Sequence, residues 1–151
     1  MNKERLNLTE FVPYRLSVTS NAVSDLIARE YQSRFGLKIP EWRVMAVLGE
    51  ERTMTQRDLV HATRMDKVTV NRAAKGLVDR QLLSRTPSRD DGRSHHLELS
   101  FTGRALYEDI APAALAMESK LLAVLNDGER ETLLGLLDKL LHSAERNVGR
   151  S

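Results

Sequence analysis

Thr55-Gln56-Arg57-Asp58-Leu59-Val60, followed by Met65-Asp66-Lys67-Val68-Thr69-Val70-Asn71-Arg72, and then Arg85 through Asp91-Gly92-Arg93 to Leu99-Ser100-Phe101-Thr102-Gly103, is the part of the chain that decides the fold. Thr55 can cap a helix by accepting the N–H of Asp58, whose carboxylate favours the positive end of the same helix. Leu59, Val60 and Ala62 then supply its apolar side. After a short turn Asp66 caps a second helix, expected over 66–80, which buries Val70, Ala73 or Ala74, and Leu77 at spacings of three and four. Residues 82–86 and 95–99 read as two short strands, joined by a turn-rich connection over 87–94 that contains Asp-Gly. Helix, turn, helix and basic hairpin in this order make a winged helix-turn-helix.

The second of these helices turns Val68, Asn71, Arg72 and Lys75 away from its apolar side, with Lys67 in its first turn. Asparagine and arginine can pair bidentately with adenine and guanine edges, lysine can neutralise phosphate, and an exposed valine can touch a thymine methyl. A solvated helix face would also accept Arg72 and Lys75, but not so readily Val68. An arginine at a hairpin tip suits a narrow minor groove, where the potential is most negative. The candidate DNA-contacting set is Thr55, Gln56, Lys67, Val68, Thr69, Asn71, Arg72, Lys75, Arg89, Asp91 and Arg93. His95 and His96 lie close to Asp90 and Asp91, but adjacent strand residues point to opposite faces. No metal site and no cofactor is expected.

Working outward, charge is concentrated on this region. Residues 53–104 carry 10 basic and 6 acidic side chains, net +4, against +1 for residues 1–52 and −3 for residues 105–151, within a net charge of +2. Such a distribution fits a nucleic-acid partner, or simply a solvated basic surface. With 151 residues, 41% of them hydrophobic, the chain has enough for one core and too little for a large multidomain enzyme. Aromatic residues are 5% and charged residues 29%, a balance that points to a mainly helical fold. There is no cysteine, which excludes disulfides, thiolate metal sites and thiol-based sensing. No apolar run approaches the roughly 18 residues of a membrane span, and the N-terminus has no signal-like pattern, so a cytoplasmic protein is expected.

The flanks are helical. Residues 8–35 form a long amphipathic helix with Pro13 in its first turn, Leu16, Val23, Ile27 and Tyr31 at helical spacing, and Gly36 as its stop. Its middle is crowded with Ser17, Thr19, Ser20, Asn21 and Ser24, small polar residues suited to close helix packing. Pro40 begins a shorter helix through Val44, Val47 and Leu48, with Trp42 packing. Ser100 caps a helix running toward Leu125, in which Pro112 removes the bond to the carbonyl of Glu108. Asn126 or Asp127 caps a last helix carrying Leu133, Leu134, Leu136, Leu137, Leu140 and Leu141. That is more leucine than one side of a short helix needs, and it implies a partner helix, most simply from a second copy. After Ala144 the chain turns polar and fraying is expected.

The whole pattern resembles the MarR regulators. The resemblance is sharpest in the hairpin, where Asp91-Gly92-Arg93 matches the family's Asp-x-Arg and Leu99-Ser100-Phe101-Thr102-Gly103 matches its Leu-Thr-x-x-Gly with serine for threonine. It implies a mainly α fold with a small β-hairpin wing: a winged helix-turn-helix over 37–103 plus a helical dimerisation region from 1–36 and 104–151. It further implies a homodimer on a pseudo-palindromic operator, half-sites about 10 bp apart, with the wing aspartate bracing the hairpin and its arginine in the minor groove. Repression would be relieved by a small-molecule effector, the oxidation branch being excluded by the absence of cysteine. Tyr14, Arg15, Ser17, Trp42, Arg43 and His61 are the candidate effector residues, an arginine near an aromatic suiting a carboxylated aromatic ligand. Each would also serve as core or surface. One departure is Gln81, where the family usually has glycine; glutamine tolerates a left-handed cap poorly, so the preceding helix is expected to run on or end differently. The alternative is a winged-helix module for protein contacts or constitutive DNA architecture, without effector. No nucleophile and base pairing, phosphate loop or metal ligand set supports an enzyme.

Overall fold

The computed structural model describes residues 4–50, 53–87 and 95–149. After a 3-10 turn, Leu8–Glu10, six α-helices and three strands follow: α1 Val12–Phe35, α2 Ile39–Glu50, β1 Met54–Thr55, α3 Gln56–Thr63, α4 Lys67–Asp79, β2 Leu83–Pro87, β3 His95–Leu99, α5 Phe101–Leu121, a second 3-10 turn Leu122–Val124, and α6 Asp127–Val148. The chain divides into two compact units, Met1–Ala111 and Pro112–Ser151. The division falls at Pro112, yet α5 continues through it.

In the first unit α2, α3 and α4 pack on one another and on the sheet. The core is Leu37, Val44, Met45, Leu48, Leu59, Val70, Ala74, Leu77, Leu97 and Ile110, all closed to solvent. Each large apolar side chain buried here stabilises the fold by about 1.5–3 kcal/mol relative to exposure. Met45 joins Val44 and Leu48 on the buried face of α2, whereas Val47 is only half-buried. On α3 the structure corrects the expected apolar side: Leu59 is buried and Thr63, one turn on, faces inward, while Ala62 is exposed. Eight residues make barely two turns, too few for periodicity to separate Ala62 from Thr63.

α1 ends where expected. Gly36 sits at φ 63° and its N–H reaches the carbonyl of Gln32, while Leu37 N–H reaches that of Tyr31. The guanidinium of Arg80 donates to the Gly36 carbonyl at 3.0 Å, tying the end of α4 to the end of α1. Tyr31, Trp42 and Tyr107, from α1, α2 and α5, form a line of rings with centroid separations of 5.4 and 5.9 Å. Burial raises the Tyr31 phenol above its ordinary pKa.

The sheet is antiparallel in the order β1-β3-β2. Leu83 pairs with Leu99, Arg85 with Leu97 and Pro87 with His95, while Met54 pairs with Leu97 from the other side. β1 has two residues, which no alternation of apolar and polar side chains can reveal.

Gln81 departs from expectation. It adopts φ 62°, and α4 closes with the bond pattern a glycine would give: Gln81 N–H to Val78 C=O at 2.9 Å and Leu82 N–H to Leu77 C=O at 2.9 Å. The helix does not run on. The Ser100 hydroxyl donates to the Gln81 carbonyl at 2.6 Å and accepts the Gly103 N–H at 3.0 Å, so the α5 cap also clamps the end of α4.

The second unit contains the C-terminal half of α5 and all of α6. Asn126 caps α6 in a reciprocal box with Glu129, and Arg130 pairs with Glu118 at 2.6 Å, both half exposed and worth at most about 1 kcal/mol. No described residue of this unit is fully buried. The six leucines of α6 from Leu133 to Leu141 are 38–57% exposed. α6 persists to Val148, beyond the expected fraying point at Ala144, because its polar residues are still competent helix formers. Among the described residues no helix is long and apolar enough to cross a membrane.

Candidate nucleic-acid interface

The site is built from two capped helices and the turn between them. Thr55 Oγ1 accepts the Asp58 N–H at 3.1 Å while the Asp58 carboxylate accepts the Thr55 N–H at 3.1 Å. These hydrogen bonds, backbone first, hold the Asp58 carboxyl below its ordinary range, with His96 and His61 adding to the effect. α3 ends at Arg64, in the left-handed region at φ 57°, and the chain turns through Met65 into Asp66. Asp66 accepts both the Thr69 N–H and the Thr69 hydroxyl at 2.8 Å, which likewise lowers its pKa. Thr55 and Thr69, two of the candidate DNA contacts, thus direct their side chains to capping.

The face of α4 opposite the core carries Lys67, Val68, Asn71, Arg72 and Lys75, all exposed. Val68 is 58% exposed on a helix whose Val70, Ala73, Ala74 and Leu77 are at most 4% exposed and whose Val78 is half-buried. An apolar side chain left out of a core that admits its neighbours marks a contact surface. Gln56, at the start of α3, donates its Nε2–H to Asn71 Oδ1, joining the two helices across the turn.

Two grooves flank this face. One, of about 290 Å³, is lined by Gln56, Arg57, Val60, His61, Lys67 and Asn71. The other, of about 270 Å³, lies between α2 and α4 and includes Lys38, Glu41, Thr69 and Arg72. The structure thereby groups Gln56, Lys67, Val68, Asn71, Arg72 and Lys75 into one basic and polar surface. Arg57, exposed beside Gln56, belongs to it too; its position in the first turn of a helix with a threonine cap was the available signal. Arg89, Asp91 and Arg93 lie outside the described residues.

The sequence profile of the MarR family matches residues 35–94, which takes in α2 through the wing connection. Over 105 residues, 70% of the chain, the sequence is 31% identical to the HTH-type transcriptional repressor NicR of Pseudomonas putida, and the match spans 66% of that repressor's length. The fold superposes on a probable transcriptional regulator from Pseudomonas aeruginosa with a TM-score of 0.83 and 32% identity, covering 89% of this chain and 99% of the other. The chain belongs to the MarR family of transcriptional regulators. A second structure, that of Bordetella bronchiseptica BpsR in the regulation of its DNA binding by 6-hydroxynicotinic acid, matches with a TM-score of 0.72 and 25% identity over 83% of this chain and 98% of that one. These relatives are regulators, not enzymes.

The six candidate effector residues of this MarR-family chain do not converge on one cavity. Tyr14 and Arg15 line a cavity of about 220 Å³ with Thr9, Val18 and Thr19, and Arg15 donates to the Thr9 carbonyl at 3.3 Å. Ser17 and Arg43 are exposed on α1 and α2. Trp42 is half-buried between the Tyr31 and Tyr107 rings. His61 lines the groove beside Gln56 and Asn71, on the α3–α4 side.

Proposed function

We propose that this regulator is a cytoplasmic homodimeric repressor that binds a pseudo-palindromic operator and is released by a carboxylated aromatic effector. The observation that carries it is the exposed face of α4, where Lys67, Val68, Asn71, Arg72 and Lys75 combine base-reading, methyl-contacting and phosphate-neutralising groups. Residues 37–103 form the DNA-reading part, with Arg72 and Asn71 as major-groove contacts, Arg93 as the minor-groove contact and Arg89 as a further DNA contact. Residues 1–36 and 104–151 form the dimerisation region, supported by the exposed leucines of α6 and by the exposed Leu16, Val18 and Leu26 of α1.

Tyr14 and Arg15 are the effector residues best supported by their shared cavity, since an arginine beside a phenol suits a ring bearing a carboxylate. The 6-hydroxynicotinic acid that regulates DNA binding by BpsR has that chemistry. An effector acts here only by preferring the protein conformation that fits the operator less well. Arg72→Ala should cost about 1–3 kcal/mol of discrimination at one position of each half-site, read by sequence selection on both proteins. Titration with 6-hydroxynicotinate and benzoates should release operator from the wild type and fail to do so from Arg15→Ala. An unchanged selected motif in the first case removes Arg72 from the readout. Equal release in the second removes Arg15 from the effector site.

A further inference from the structure

Gln56 and Asn71 come from different helices, fifteen positions apart, and meet side chain to side chain on the exposed face. The capping box at Thr55 fixes the first turn of α3, and Gln56 is the first residue of that turn. Asn71, one turn into α4, lies beside Val68 and Arg72 on the surface. Both line the same groove with Lys67 and His61.

An asparagine that reads adenine alone must use both ends of its amide: Oδ1 accepts from the adenine amino group and Nδ2–H donates to N7. Gln56 already occupies Asn71 Oδ1 as a donor. That bond takes one lone pair of Oδ1 and crowds that end of the amide, so the end left open on Asn71 is its pair of Nδ2–H donors. Two donors on one nitrogen match a base edge that presents acceptors, and guanine, with O6 and N7, presents two in the major groove. We infer that Gln56 is a positioning residue that holds Asn71 as a donor and sets its preference to guanine rather than adenine. This rests on α4 being the DNA-reading helix.

The test is selection from a random duplex library by the full-length wild type, Asn71→Ala, Gln56→Ala and the near-isosteric Gln56→Met, with melting temperature measured in parallel. Loss of preference in Asn71→Ala identifies the base pair that Asn71 faces. The wild type should prefer guanine there, and both Gln56 variants should move that single position toward adenine by roughly five- to tenfold while other positions keep their preferences. Adenine at that position in the wild type overturns the inference. So does a uniform loss of affinity in the Gln56 variants with the guanine preference retained, since that would make Gln56 a general contact or a structural strut. If the wild type enriches no motif at all, the DNA-reading role of α4 fails, and the inference with it.

Discussion

Gly103 lies so close to the Leu82 carbonyl that a β-carbon on it would fall 2.0 Å from that oxygen. The same carbonyl accepts the Ser100 N–H at 3.0 Å, so the start of α5 is seated against the loop that follows α4. This is the packing reason for glycine in the Leu-Ser-x-x-Gly segment. Gly103→Ala cannot be relieved by rotating a side chain, because the obstacle is backbone. It should destabilise the fold by about 3 kcal/mol or more, near the upper end of single substitutions. Chemical denaturation measures this, and a loss below 1 kcal/mol would mean that the two segments separate easily.

Gln81 holds a left-handed conformation that costs a non-glycine residue roughly 1–2 kcal/mol. Glycine removes that cost but adds freedom to the unfolded chain, so Gln81→Gly should stabilise by about 0.5–1 kcal/mol. A raised denaturation midpoint at unchanged slope is the expected result. A lowered midpoint would show that the glutamine side chain contributes more than its backbone costs.

Asp58 and Asp66 both have carboxyls held below their ordinary pKa by capping hydrogen bonds. A depressed folded-state pKa contributes stability that is present above the ordinary carboxylate range and is lost as pH falls through the folded value. Acid should therefore loosen the starts of α3 and α4. Thr55→Ala removes the hydroxyl of the capping box but leaves the backbone N–H that is the first support of the Asp58 carboxylate; it should cost about 1 kcal/mol near neutral pH and flatten the acid side of the stability profile in part. A parallel, unflattened profile would contradict the capping origin of the shift.

The leucines of α6 are too exposed for an isolated chain. Leu137→Glu combined with Leu140→Glu should convert a dimer to a monomer in sedimentation, with helix content retained. A dimer that survives both substitutions would place the interface elsewhere.

Much of this was legible in the sequence because the governing interactions are local. Caps at Thr55, Asp66, Ser100 and Asn126 depend on residues three positions apart, and the burial of Val70, Ala73, Ala74 and Leu77 follows from helical spacing. What stayed hidden depends on distant partners. β1 exists because β3 offers it an edge, and Gln81 is held left-handed by Ser100 from across the hairpin. The Gln56–Asn71 bond needs the turn geometry that carries α3 past α4. The family resemblance puts His61 in the effector set, and only the packing of α3 sets it beside Asn71.

The central claim is that the α4 face reads a two-fold operator. Selection of bound fragments from the source genome, followed by titration of the best fragment across a salt series, tests it most directly. The account predicts a pseudo-palindromic motif with half-sites about 10 bp apart, and an affinity that falls steeply and linearly on a log–log salt plot. No enriched motif, or binding indifferent to salt, would contradict it and favour a winged helix that contacts protein.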